Sequence, residues 1–222
     1  MKIDISYSLA LLFPANCACQ IRITLSPSGT LHADASSTPR RPYDLLAASA
    51  LDPSLLKAAT TNAALDLSTL SLPPFASPPL LVLLDTQSTC PSMLTSHKTT
   101  VRPHYDAARA RASIPPPSSS ISSLSPTEIL LYTPGPSPSA LISEGSLRNV
   151  AFYRDNHWTT PPLSTGCLPG TVRRWLVESG RVVEGPVLRD EVRVGEWVML
   201  CNGVEGCVLG VVVGVAGGAG AQ

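Results

Sequence analysis

The chain runs to 222 residues with a formal net charge of zero, and only 14% of it is charged. That length fills one good core with room for a small appendage. The charge balance excludes nucleic acid as the main partner, because holding phosphates over a large surface needs a basic excess.

Taken from the N-terminus, Met1 to Ala18 has one short apolar run, Leu9 to Phe13, with Asp4 ahead of it. That run is short for the core of a secretory leader. No stretch reaches the roughly 20 apolar residues of a membrane span, so the chain is read as cytoplasmic with no membrane partner. Gln20 to Leu25 alternates and is rich in β-branched residues, Ser26-Pro27-Ser28-Gly29 is a turn, and Thr30 to Ala33 returns, which predicts a hairpin. Arg40 to Leu46 reads as a connector, and Asp52 to Leu70 as partly helical from its alanine and leucine content. Leu80 to Leu84 is a continuous apolar run of strand length and predicts a buried strand. Tyr105 to Ala112 is a helix by propensity, and Ile129 to Thr133 is a strand. Ala140 to Tyr153 is a strand, turn, strand unit, followed by an Asp155-Asn156 turn and a loop from Thr160 to Cys167. Thr171 to Glu178 is a helix started by Gly170 and stopped by Gly180. Val182 to Val187 and Glu196 to Cys201 are strands, and the apolar tail from Val208 to Val215 is a terminal core strand. Two proline- and serine-rich patches, Leu72 to Pro79 and Ile114 to Pro126, read as loops or a flexible insertion.

The expected fold is α+β with mixed α/β character. Its expected divisions are 1–45, the remnant of a small N-terminal domain; 46–78, a connector; and 79–222, a large domain with a Pro/Ser-rich insertion at 113–127. The six cysteines supply no framework. Cys17-x-Cys19 is too tight for an ordinary zinc pair and no second pair lies at ligand spacing, so no metal is expected. Cys90, Cys167, Cys201 and Cys207 read as buried free thiols.

Candidate chemistry sits at a few positions. Lys98 follows a polar segment and precedes a helix. Most lone lysines are solvated, and an amine nucleophile needs a lowered pKa from burial or a neighbouring cation. Glu144 is either a turn acid or a carboxylate that keeps a pyridine nitrogen protonated, which makes such a ring an electron sink. Asn149, five residues on, either holds that carboxylate or a cofactor oxygen, or is a plain turn residue. Gly170-Thr171-Val172 open a helix whose unpaired amides and dipole favour a phosphate; an ordinary helix start is the other reading. Asn202-Gly203 follow a buried strand, where glycine lets amides come close to an anion; the plain alternative is a β-turn.

The order of these pieces carries a resemblance. His97-Lys98-Thr99-Thr100-x-Arg102-x-x-Tyr105, Ile142-Ser143-Glu144-Gly145 through Asn149, Thr160-Pro161-Pro162 and Leu168-Pro169-Gly170 to Arg173 resemble the fold-type IV (class IV) pyridoxal-phosphate enzymes from about Ser96 to Val212. That family includes the branched-chain and D-amino-acid aminotransferases and 4-amino-4-deoxychorismate lyase. The resemblance implies pyridoxal 5'-phosphate as cofactor, a large domain of the family's fold, a small-molecule amino substrate and a homodimer. It implies that Lys98 is the catalytic lysine that bears the cofactor and shuttles protons, and that Glu144 meets the ring nitrogen. Thr171 and Val172, with Asn202 and Gly203, would offer backbone amides to the phosphate, and Arg102 and Tyr105 would line the site. The Cys201-Asn202-Gly203 tract is more similar to the lyase than to the aminotransferases, and the run from His97 to Tyr105 resembles the lyase-related proteins of filamentous fungi. The expected activity is therefore release of pyruvate and 4-aminobenzoate for folate synthesis, with a class IV aminotransferase or an inactive relative as alternatives. The family's small domain carries a His-x-x-Arg segment whose arginine grips the phosphate. Here no arginine before Lys98 sits three residues after a histidine, and His32 is followed by Ala33-Asp34-Ala35. The part of the small domain ahead of Ile21 to Ser26 is thus expected to be absent.

Overall fold

The structure, a computed structural model, describes residues 18–38, 44–52, 79–116, 126–135 and 139–217. The predicted helix over 53–70, the first proline-rich patch through 78 and residues 117–125 of the second lie outside the described residues. The described residues fall into two compact units, 18–38 alone and the remainder together.

In the first unit, β1 (Ala18–Leu25) and β2 (Leu31–Thr38) pair antiparallel. Gly29 closes their loop at φ 84°, a left-handed conformation that suits glycine. Alternation places Ile21, Ile23 and Leu25 opposite Ala35, Ala33 and Leu31 on one face. The large side chains of that face, Ile21, Ile23, Leu25 and Leu31, are exposed.

The second unit is built on one mixed sheet. Its strands are β3 (Leu80–Leu84), β4 (Thr127–Thr133), β5 (Leu141–Gly145), β6 (Asn149–Arg154), β7 (His157–Thr160), β8 (Val182–Glu184), β9 (Trp197–Asn202) and β10 (Gly206–Val215). They lie in the order β5-β4-β3-β10-β9-β6-β7-β8. The β3–β4, β3–β10 and β7–β8 pairs are parallel and the other four are antiparallel. The sheet curls on itself. Ile142 N–H donates to Val187 O (2.9 Å) and Arg189 N–H to Ala140 O (2.9 Å), so the β5 edge is bonded to the chain beyond β8. The helices are α1 (Met93–Ser96), α2 (Pro103–Arg111) and α3 (Thr171–Glu178).

Core packing follows from strand alternation. Trp197, Met199 and Cys201 of β9 pack with Leu176 of α3, while Val198 and Leu200 face Val82, Ile142 and Phe152 inside the curl. Both faces of β9 are therefore buried, which is why it reads as an unbroken apolar run. Burying each such side chain contributes roughly 1.5–3 kcal/mol. Tyr105 and Ala108 of α2 pack on Ile129 and Leu131 of β4, and Pro103 starts that helix where its missing N–H costs nothing. Asp155 and Asn156 both take positive φ (49° and 64°), as a two-residue hairpin loop between β6 and β7 requires.

Three features differ from expectation. β8 stops at Glu184 rather than Val187, because Gly185-Pro186 follows and proline has no N–H for the ladder; Val187 is instead buried at the seam with β5. The short helix α1 is held by a capping box, with Ser92 N–H donating to Thr95 Oγ1 (2.9 Å) and Leu94 N–H to Ser92 Oγ (3.2 Å). Cys90 is exposed, whereas Cys167, Cys201 and Cys207 are buried free thiols; Cys90 lies in a loop, so no strand or helix carries it into the core. No helix among the described residues is long and apolar enough to cross a membrane.

Candidate active site

β5 runs into β6 through Ser146-Leu147-Arg148, closed by Gly145 N–H to Arg148 O (2.8 Å). This turn leaves Glu144 near the end of β5 and Asn149 at the start of β6. Asn149 pairs with Cys201, so the β9–β10 turn lies at the same end of the sheet. Glu144 is 5% exposed. Its Oε2 accepts from Asn149 Nδ2 (3.2 Å) and its Oε1 from the Tyr105 hydroxyl. Asn149 Nδ2 also donates to Leu168 O (2.8 Å), which fixes the amide. Both side-chain donors to Glu144 are neutral, and among the described residues Glu144 makes no ion pair. Burial pushes its carboxyl from an ordinary 4.5 up to about 7, against the downward pull of the Tyr105 hydrogen bond, the Leu168 backbone N–H and the nearby Arg102 charge. The Tyr105 phenol is raised in turn, by burial first and then by the charge of Glu144.

Arg102 stands at the entry to α2. Its guanidinium lies 4.6 Å from the Tyr105 ring centroid and donates to Ser146 O. Its Nε–H is buried without a hydrogen-bond partner among the described residues. Lys98 is placed differently. It sits on the link between α1 and α2 and is exposed. Four residues of chain span at most roughly 14 Å, which bounds the distance between the Cα atoms of Lys98 and Arg102.

Gly170 caps α3 without any side-chain cap hydrogen bond. The first amides of a helix have no partner within it, so those of Thr171 and Val172 are left to a ligand or solvent. A Cβ at Gly170 would lie 2.2 Å from Asn149 Oδ1; only glycine lets the helix start close on Asn149. A Cβ at Gly203 would lie 3.3 Å from Thr171 Oγ1, so the start of α3 and the β9–β10 turn adjoin. Asn202 shapes that turn, its Oδ1 accepting from Val204 N–H (2.9 Å) and Glu205 N–H (2.8 Å). The structure thus brings Glu144, Asn149, Tyr105 and Arg102 together, and sets Gly170 and Thr171 beside Asn149 and Gly203.

Three charged residues here escape sequence reasoning. Glu128 accepts from Arg148 Nη1 (2.8 Å), and Arg148 Nη2 donates to Glu205 Oε1 (2.8 Å). The available signal was Glu128 itself, a charge inside the apolar strand Thr127-Glu128-Ile129-Leu130, which burial obliges to find a partner. No group of three or more His, Cys, Asp or Glu able to hold a metal ion occurs among the described residues.

The sequence pattern of the amino-transferase class IV family matches residues 41–210. The chain belongs to that family. Enzymes of this class depend on pyridoxal phosphate. The aminodeoxychorismate lyase of Saccharomyces cerevisiae is 40% identical over 130 residues, covering 54% of this chain and 34% of that protein. A protein assigned as the same lyase in Schizosaccharomyces pombe is 35% identical over 89 residues, covering 39% of this chain and 37% of that one. The chain therefore spans about a third of the length of these curated relatives. Among solved structures, a protein assigned as an amino-acid aminotransferase from Mesorhizobium loti matches with a TM-score of 0.60 at 23% identity, over 93% of this chain and 78% of that one. One assigned as a 4-amino-4-deoxychorismate lyase from Haemophilus somnus matches with a TM-score of 0.52 at 15% identity, over 93% and 80%. These two likenesses establish the mixed-sheet class IV fold.

Proposed function

We propose that this chain binds pyridoxal phosphate and acts as a 4-amino-4-deoxychorismate lyase, releasing pyruvate and 4-aminobenzoate. The observation that carries the cofactor reading is Glu144, a carboxyl that burial pushes up to about 7 and whose hydrogen-bond donors are uncharged. A protonated ring nitrogen supplies the cationic donor that this carboxyl lacks, and the carboxylate has lone pairs left to accept from it. The adjoining start of α3 and the β9–β10 turn suit a phosphate at a second point, since both present main-chain donors and glycine leaves room at each. When bound, the cofactor supplies an electron sink for the carbon next to the substrate amine.

The chain's own residues would divide the remaining work. Asn149 and Tyr105 orient Glu144, and Arg102 sets a positive charge beside it. Lys98 would hold the cofactor, take the proton from the carbon bearing the substrate amine and pass a proton to the departing three-carbon enol. The identity to the yeast lyase supports lyase over aminotransferase. Titrating the protein with pyridoxal phosphate should produce the absorption of the lysine-linked cofactor, and Lys98→Ala should abolish it. Turnover should need no 2-oxo acid acceptor. Dependence on 2-oxoglutarate would assign the chain to transamination instead, and protein that never takes up the cofactor would end both readings.

A further inference from the structure

We infer that Glu205 and Arg148 are positioning residues, which hold the Asn202–Gly203 turn at a fixed spacing from Glu144. This rests on the reading of that turn as part of the phosphate cradle. Arg148 is 2% exposed and bridges two carboxylates, Glu128 on one side and Glu205 on the other, at 2.8 Å each. Its charge is held firmly: burial works against it, and Glu128 and Glu205 outweigh burial. A buried ion cluster of this kind is poor evidence for stability, because well-packed apolar residues serve at least as well. What it supplies is geometry.

Each end of the cluster grips one turn. Glu205 Oε2 accepts from Asn202 Nδ2 (2.7 Å), and the same amide group shapes the turn through its Oδ1. At the other end, Glu128 Oε1 accepts from Ser146 N–H (2.9 Å) and Ser146 Oγ–H (2.6 Å), two residues beyond Glu144. Glu128 also packs directly under Gly145, where a Cβ would lie 3.0 Å from its Cγ and Cδ. Arg109 Nη1 donates to Ser146 Oγ (3.0 Å) and ties α2 to the same point. One buried cation therefore bolts the acid's turn to the donor turn, and the spacing between them does not depend on any ligand.

The test compares pyridoxal phosphate with pyridoxal, which lacks only the phosphate. Glu205→Ala leaves Arg148 and Glu128 as a neutral pair, so the fold should survive. Its affinity for pyridoxal phosphate should fall about tenfold, the worth of one well-placed hydrogen bond, while its affinity for pyridoxal stays as in the wild type. Amide exchange at Val204 and Glu205 (now alanine) should speed up in the cofactor-free protein. Glu205→Gln, which keeps an acceptor for Asn202, should recover part of both effects and serves if the alanine variant does not fold. Equal weakening toward both compounds, or an unchanged ratio, overturns the inference and leaves the cofactor reading standing. A wild-type protein that binds neither compound overturns the cofactor reading, and this role with it.

Discussion

Two buried carboxylates at one end of the sheet have opposite surroundings. Glu128, near the start of β4, is fully buried and meets the Arg148 guanidinium together with the N–H and hydroxyl of Ser146. Glu144, near the end of β5, is almost as deeply buried and is met by uncharged donors, the Tyr105 phenol, the Asn149 amide and the Leu168 backbone N–H. Burial is thus not what separates a structural acid from a candidate functional one. The difference is whether the fold supplies the compensating charge.

That contrast can be broken first at Arg148. Arg148→Met leaves Glu128 and Glu205 buried and unpaired, and should cost about 3–5 kcal/mol of stability in urea denaturation. Replacing all three charges together, with Glu128→Gln, Arg148→Met and Glu205→Gln, should recover most of it. Next in size is the pH dependence that Glu144 imposes. Between pH 4.5 and about 7 the folded protein holds a proton on Glu144 that the unfolded chain releases. Stability from this group is present in full below 4.5 and is lost as pH rises through about 7. The loss is on the order of 3 kcal/mol in the cofactor-free protein, and Glu144→Gln should flatten it while lowering turnover on the order of 100-fold. A smaller effect belongs to Gly170→Ala, whose methyl group meets Asn149 Oδ1. Overpacking there should cost about 1–3 kcal/mol and weaken cofactor uptake in an absorbance titration. Smallest is Tyr105→Phe, which removes one donor to Glu144 and should cost about 1 kcal/mol. Because the Tyr105 hydrogen bond pulls the Glu144 carboxyl down, its loss should shift the pH-dependent step to higher pH.

Local chemistry made much of the fold legible. The helix from Thr171 to Glu178 announced itself by Gly170 and Gly180, and the β6–β7 hairpin by Asp155-Asn156. The apolar run through Trp197 to Cys201 marked a strand buried on both faces. What stayed hidden was long-range. Tyr105 meets Glu144 across 39 residues, and Arg148 reaches Glu128 across 20 and Glu205 across 57. Nothing in the residues between them encodes these partnerships. Asn149 was evenly open between a turn residue and a support for Glu144 until its amide was seen bonded to both Glu144 and Leu168.

A carbon-13 NMR titration of the Glu144 carboxyl reads the state of that side chain directly. In the cofactor-free protein the midpoint should lie at about 7, and added pyridoxal phosphate should drive it below roughly 5 as the ring nitrogen becomes its cationic partner. A midpoint at the ordinary 4.5 without cofactor, or one that added pyridoxal phosphate leaves unmoved, would contradict the account.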